Sequence, residues 1–418
     1  MMLVPSYKFS SRAKEFVMTD SRPLTILCIA SYEKGEEFMR ECKRQGCRVL
    51  LLTSESIAKA DWPRESLDEV FLIPDVNKRW NLADVIKGVS FLARTETIDR
   101  IVPLDDFDLE TAAALREHLR VPGMATRFFR DKLAMRVRAI ETGIAVPNFV
   151  HVLNYEKLGE YMSSVSPPWL LKPRFEASAT GIQKINTPDE VWSAIEQLGD
   201  RQSFFLLEQF IPGDIFHVDS IVSEKEILFA AAHKYGSPPL NVAHEGGVFT
   251  TSTVLHGSDD ERELFALNRE VLTSKELLRG VSHTEFIKGK EDGRFYFLET
   301  SARVGGANIV ELIEAARGVN LWAEWAKIEI ARGERHYELP PLHNDYAGLI
   351  VSLARQEYPD TSGYTDEEIV WRMNKRYHAG LIVRSPDSQR ISSLLEKYTE
   401  RFYKDFFATQ PAPDRAVS

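Results

Sequence analysis

The sequence predicts a mixed fold, an α/β parallel-sheet domain followed by α+β lobes, and three observations carry that expectation. At 418 residues the chain exceeds one ordinary core and suggests several packed lobes. Between residues 24 and 123 short apolar runs alternate with helix-length polar segments, the pattern of a parallel sheet. From about residue 147 onward strands follow one another with few helices between them, which describes compact α+β lobes.

In chain order, the apolar run at 24–30 predicts the first strand, with a polar helix behind it that ends near Gly46. Strands follow at 48–53, 69–73 and 101–104, with helices around 81–95 and 107–119. The turn after the first strand, at 31–35, lacks G-x-G-x-x-G, which argues against a nicotinamide or flavin role. A helix opens near Thr126 and ends by Gly143, with Asp131 and Lys132 inside it. Strands are expected at 169–172, 181–185, 203–208 and 216–222, with one helix starting at the capping signal of Thr187, Pro188 and Glu190. The pentad at 347–351 recurs at 379–383 and is read as two similar buried strands, since one echo is too little for a repeat architecture. The expected divisions are an arm at 1–23, a parallel-sheet domain at 24–123, lobes at 124–210 and 211–335, and an α/β segment at 336–418 that ends in a disordered tail.

Composition narrows the function classes. Hydrophobic residues at 44% and charged residues at 27% are those of an ordinary soluble globular chain. No stretch approaches the roughly 20 apolar residues of a spanning helix, and the charged first residues do not form a signal peptide. Cys28, Cys42 and Cys47 fit neither a zinc site nor a disulfide framework, so a reducing cytoplasm is the expected home. A net charge of −10 argues against nucleic acid as a partner but leaves room for a small anion held by local cations.

The most informative segment is the pair of strands around Glu285 and Glu299, joined by a turn of hairpin composition at 289–293. With Lys288 facing Arg294, Phe297 falls opposite Glu285 and His283 opposite Glu299. The two glutamates then share a face as diagonal neighbours, roughly 7–8 Å apart at the backbone. Two long carboxylates so placed suit a hard cation such as magnesium, which keeps waters and phosphate oxygens for its other positions. Arg303 and the Gly305-Gly306 pair follow at once, and a cation there suits an anion being transferred.

Lysines and a strand end add to this. Lys172 closes an apolar strand and precedes a small-residue loop at 174–181, whose successive N–H groups suit phosphate oxygens. It is not a Walker loop, and taken alone it reads as a hairpin tip. The strand through Glu208 runs into 209–214 with carboxylate and backbone groups that suit the edge of a purine, or that simply make a strand-to-turn junction.

The order of these pieces, from Asp131-Lys132 through Lys172, Glu208 and Glu285 to Glu299-Thr-Ser-Ala-Arg303, resembles the ATP-grasp superfamily over about 24–335. More narrowly it resembles the carboxylate–amine ligases that include L-amino-acid ligases, carnosine-synthase-like enzymes and the biotin-carboxylase branch. The resemblance implies two α+β lobes clasping ATP, with Lys132 and Lys172 on its phosphates and the loop with Ser178 and Gly181 closing over them. It implies adenine held by Glu208, Gln209 and Ile211, His217 or Asp219 near the ribose, and the 244–249 segment with His244 and Glu245 on the phosphate and acceptor side. Glu285 and Glu299 would bind magnesium, two ions with manganese as a substitute, and Arg303 the reacting carboxylate. The family commonly carries Asn two residues after the second metal glutamate; here Ser301 takes that place, a poorer ligand that leaves a position to water.

The reaction so implied forms an amide bond between a carboxylate and an amine through an acyl phosphate, with small molecules as substrates and homodimers common among relatives. The alternatives are a biotin-carboxylase-like or purine-pathway enzyme, and a catalytically weak ATP-binding regulatory protein.

Overall fold

The computed structural model describes residues 22–77, 79–124, 128–177, 179–237, 247–331 and 337–408. Ser178, His244 and Glu245 lie outside these, as do nearly all of the N-terminal arm and the tail from 409.

Strand β1 (Thr25–Ala30) is buried at every residue, because helices cover both faces of its sheet. Helix α1 (Glu36–Arg44), β2 (Arg48–Ser54), β3 (Glu69–Ile73), α2 (Leu82–Leu92), β4 (Arg100–Pro103) and α3 (Leu109–Leu119) complete the unit. The four strands are parallel in the order β3-β2-β1-β4. The order reverses direction between β1 and β4, which opens a crevice at their carboxyl ends. Asp105, Asp106 and Asp108 stand at that crevice, all buried.

The second unit begins with α4 (Lys132–Glu141), whose N-cap Asp131 accepts from the N–H groups of Leu133 and Ala134. It continues through β5 (Phe149–His151), α5 (Tyr155–Ser164), β6 (Trp169–Pro173), β7 (Gln183–Ile185), α6 (Pro188–Leu198) and β8 (Phe205–Gln209). These strands form an antiparallel sheet in the order β5-β8-β6-β7. At the start of α6 Glu190 N–H donates to Thr187 Oγ1 at 3.3 Å, and Glu190 Oε2 accepts at 2.9 Å from the N–H of Asn186, one residue before the N-cap, a variant of the capping box.

The third sheet contains β9 (Gly213–Ser223), β10 (Glu226–Tyr235), β11 (Phe249–Thr253), β12 (Gly280–Gly289) and β13 (Phe295–Ser301), with α7 (Asp259–Ser274) between β11 and β12. After α8 (Ile309–Arg317) and α9 (Leu321–Ala331) come β14 (Tyr346–Leu353), β15 (Ile369–Arg372), β16 (His378–Ser385) and α10 (Ser388–Asp405). The C-terminal strands do not stand apart, because β11 pairs with β14 and makes one eight-stranded sheet, β13-β12-β9-β10-β11-β14-β16-β15. The two echoing pentads are its neighbouring antiparallel strands β14 and β16, with Gly348 opposite Val383 and Val351 opposite Gly380.

Both faces of this sheet are covered, so its strands are apolar on both sides. Phe216, Val218, Phe286 and Phe297 pack against Met135 and Ala139 of α4 and Leu264 and Val271 of α7. Each such side chain contributes about 1.5–3 kcal/mol by leaving water. Ile221, Ala231 and Val281 face the other way, onto Ile309, Ile313 and Trp325, and that core runs on into Phe38 and the first sheet. Against this apolar background, a row of polar residues on the second face is conspicuous.

Candidate active site

That row starts at the hairpin of β12 and β13. Glu285 pairs directly with Glu299, rather than lying diagonal to it as expected from the turn. Two local facts shift the register. The strand continues to Gly289, so Lys288 faces Phe295, and a β-bulge falls between the Phe286 and Glu285 pairs. At the bulge Phe297 N–H leaves the ladder for Ala145 O at 2.8 Å, and Leu298 O turns out to accept from Arg136. The bulge thus aims both carboxylates at one side of the edge of the sheet, with Glu285 19% and Glu299 34% exposed.

Cations from the second unit meet this pair. Lys132, the first residue of α4, places Nζ 2.9 Å from Glu299 Oε2 and donates to Glu176 O at 2.6 Å, which draws the 174–181 loop down beside it. Arg136, one helical turn later, bonds Glu208 Oε2 at 2.7 Å, and Lys172 of β6 bonds Glu208 Oε1. Glu208 is 1% exposed. Burial opposes its charge, but the Arg136 and Lys172 cations prevail and hold its carboxyl below the usual range. Both oxygens of Glu208, the residue expected beside a purine, thus face cations in this structure. Of the neighbouring backbone, Gln209 N–H already bonds Asn148 O at 2.8 Å, and Ile211 packs beside Gly289.

The third contribution was not foreseen. Asp106, on the turn after β4, is 6% exposed and reaches across to the metal-side strand. Ser301 Oγ donates to its Oδ1, and Arg303 donates to its Oδ2 through Nη2 and, at 2.8 Å, through Nε. Burial disfavours the Asp106 charge, yet Arg303 and Arg130 outweigh it and keep the carboxyl well below its ordinary value. Arg130 in turn lies 4.3 Å over the Phe107 ring, which stacks on Tyr32.

Behind the two glutamates the row continues inward. Tyr235 OH donates to Glu285 Oε1 at 2.9 Å, and His283 Nε2 stands 3.6 Å from the same oxygen. His283 Nδ1 is 2.9 Å from Asp219 Oδ1, and His217 Nδ1 is 2.7 Å from Asp219 Oδ2. Burial opposes charge on His283, but Asp219 and Glu285 push its pKa up to about 10. Gly305 closes over this pair, where a Cβ would sit 3.0 Å from both Asp219 Oδ1 and His283 Nδ1. His217, expected near a ribose, is fully buried with its second nitrogen 3.0 Å from Thr251 Oγ1.

The set suits a divalent cation of the magnesium type. Its donors are carboxylate oxygens, Tyr235 occupies one oxygen of Glu285, and a metal ion would replace the Lys132 contact on Glu299. Ser301 lies in the same strand two residues beyond Glu299, but its hydroxyl hydrogen is directed at Asp106. In the 174–181 loop Thr180 N–H bonds Ala177 O at 3.1 Å, and Gly181 takes the φ of +71° that turns the chain back against Pro173. Arg136 could have been found four residues after Lys132, on the same helix face. Asp106 had only a weak signal, an acidic run closing an apolar strand, and Tyr235 had its alternation with His233 at the end of the largely apolar β10.

A parallel sheet, an antiparallel lobe and a large sheet follow one another as in the ATP-grasp fold, and the chain has that fold. It is similar to the L-amino acid ligase of Bacillus licheniformis, with a TM-score of 0.72 at 17% identity over 93% of this chain and 99% of that one. It is also similar to the biotin carboxylase domain of Hydrogenobacter thermophilus 2-oxoglutarate carboxylase in complex with MgADP, at a TM-score of 0.66 and 17% identity over 89% and 88% of the two chains. In sequence it is 25% identical over 276 residues to the L-arginine-specific L-amino acid ligase of Bacillus subtilis. That match spans 63% of this chain and 65% of the relative. No family model matches the chain. No helix among the described residues is long and apolar enough to cross a membrane.

Proposed function

We propose that the protein is an ATP-dependent ligase that activates a carboxylate as an acyl phosphate and joins it to an amine, with amino acids on both sides. The observation that carries this reading is the convergence of Lys132 on Glu299 beside Glu285, with Arg303 four residues beyond Glu299, just past the end of the same strand. Cations for phosphates, carboxylates for a metal, and a guanidinium for a carboxylate then belong to one cleft. The relatives named above as L-amino acid ligases support amino acids as the substrate class.

In this reading Lys132 and Lys172 hold phosphate oxygens of ATP, and the 174–181 loop covers them. Glu285 and Glu299 hold magnesium, which when bound neutralises phosphate charge. The substrate carboxylate lies against Arg303, and one of its oxygens forms a bond to the γ-phosphorus as the bond to the ADP oxygen breaks. Catalysis is largely by positioning and charge. The amine then attacks the acyl carbon and loses a proton, and phosphate departs. Arg303 offsets the oxyanion formed on the way.

The test is phosphate release from ATP and magnesium with L-amino acids supplied singly and in pairs, product masses being recorded. Release that needs two amino acids, with a product one water lighter than their sum, supports the reading. Release driven by bicarbonate, or ATP binding with no release across the panel, would overturn it in favour of a carboxylase-like enzyme or a nucleotide-binding regulator.

A further inference from the structure

We infer that Asp106 is a positioning residue that aims Arg303, so that the first domain sets the carboxylate-binding geometry of the metal-side strand. The inference rests on the ligase reading for its consequence, although the geometry stands without it. A guanidinium has five N–H donors in a rigid plane. Nε–H and one Nη2–H of Arg303 go side-on to Asp106 Oδ2, and one Nη1–H goes to Val304 O at 2.8 Å. One N–H then remains on each of Nη1 and Nη2, the two nitrogens of the end-on fork. Among the described residues that fork has no protein partner. Two parallel N–H groups are the shape that takes a carboxylate or phosphoryl group through two oxygens at once.

Asp106 is suited to the task. It holds a second bond, from Ser301, so its carboxylate is fixed from two residues of the strand it serves. Arg130, braced on Phe107, adds a second positive charge beside Asp106, so its carboxylate is held by two guanidinium groups. A lysine at 303 would lack both the side-on pair and the fork.

The test is a double-mutant cycle on acyl-phosphate formation. The full chain is given ATP, magnesium and an equimolar mixture of the twenty standard L-amino acids, and the acyl phosphate is captured with hydroxylamine as a hydroxamate. Asp106→Asn is expected to lower the hydroxamate rate about 10- to 100-fold, the scale of a small misplacement at a reacting centre. ADP affinity, measured by calorimetry, stays within about twofold, because Asp106 touches no residue assigned to the nucleotide. In the Arg303→Ala background the same Asp106→Asn change adds less than about twofold, since its target is gone. Effects that multiply, or an equal loss of ADP affinity, overturn the inference. Nitrogen-labelled arginine gives a reading independent of activity: the Nε–H signal that Arg303→Ala deletes is displaced in Asp106→Asn. An unmoved signal also overturns the inference. If the unaltered protein makes no hydroxamate, the ligase reading fails and the resonance alone decides the role of Asp106. Should Asp106→Asn not fold, Asp106→Glu, which keeps the charge and moves it by one methylene, takes its place with the same expectations.

Discussion

The Lys132 ammonium lies 2.9 Å from Glu299 Oε2, so the first residue of α4 is joined to the edge strand of a different sheet. Lys132 is largely buried and Glu299 about a third exposed, so the cost of taking the charges out of water offsets much of their attraction and the pair adds little net stability. Its value is the placing of a phosphate-seeking cation beside a metal-seeking carboxylate. Glu299→Gln is therefore expected to keep the thermal midpoint nearly unchanged while ADP formation drops about 100-fold or more. Scanning calorimetry and a coupled ADP assay check the two halves; an active Glu299→Gln protein would remove the metal assignment.

Tyr235 acts on the other glutamate. Its hydroxyl fixes Glu285 Oε1 at 2.9 Å and so orients the remaining oxygen. Tyr235→Phe should weaken metal binding about tenfold, as loss of a supporting bond to a metal ligand commonly does. Manganese titration in the presence of ADP, followed by electron paramagnetic resonance, reads this without turnover. Unchanged manganese affinity would show that Glu285 needs no such support.

Glu208 presents the opposite case, a buried charge between two buried cations. Glu208→Gln leaves Arg136 and Lys172 facing a neutral group, at a cost of about 3–5 kcal/mol in urea unfolding. The pH dependence has a definite sign. The folded carboxyl sits below its unfolded value of about 4.3, so its contribution is complete above that pH and disappears as pH falls through the folded value. The acid limb of the stability curve should be shallower in Glu208→Gln. An equally steep limb would mean that other carboxylates dominate acid unfolding.

Asp108 runs the other way. Burial first, then the neighbouring Asp105, raise its pKa to about 8. A raised carboxyl contributes most below its unfolded pKa of about 3.9 and loses that contribution as pH climbs toward 8. Asp108→Asn keeps an oxygen for the Ser31 N–H, 3.0 Å away. It should therefore raise the thermal midpoint, and more at pH 8 than at pH 5. Thermal melts across that range decide it, and a midpoint that falls equally at both pH values would rule the account out.

Local chemistry made much of this legible in the sequence. The turn composition at 289–293 marked the hairpin, the 187–190 signal marked the cap of α6, and the order of Lys132, Lys172, Glu285 and Glu299 marked the fold. What stayed hidden depends on partners far along the chain. The register of Glu285 against Glu299 is set by a bulge whose backbone groups answer to Ala145 and Arg136. Asp106 meets Ser301 across 195 positions, and no period or spacing near either residue announces that meeting. Glu208 read as a free carboxylate because the burial that pairs it comes from α4 and β6 together.

The pairing of β11 with β14 has a consequence for how the chain comes into being. Thr251 waits for Leu349, and β14 in turn waits for β16, before the large sheet has its full width. During synthesis, β9 to β13 emerge first and leave β11 with one unpaired side for nearly a hundred residues of elongation. An open strand edge of that kind is a template for the wrong neighbour. Shortening the protein at the end of α9 would make that interval permanent, so a fragment ending there is expected to collect in the insoluble fraction, even though every residue assigned to the reaction lies upstream of the cut.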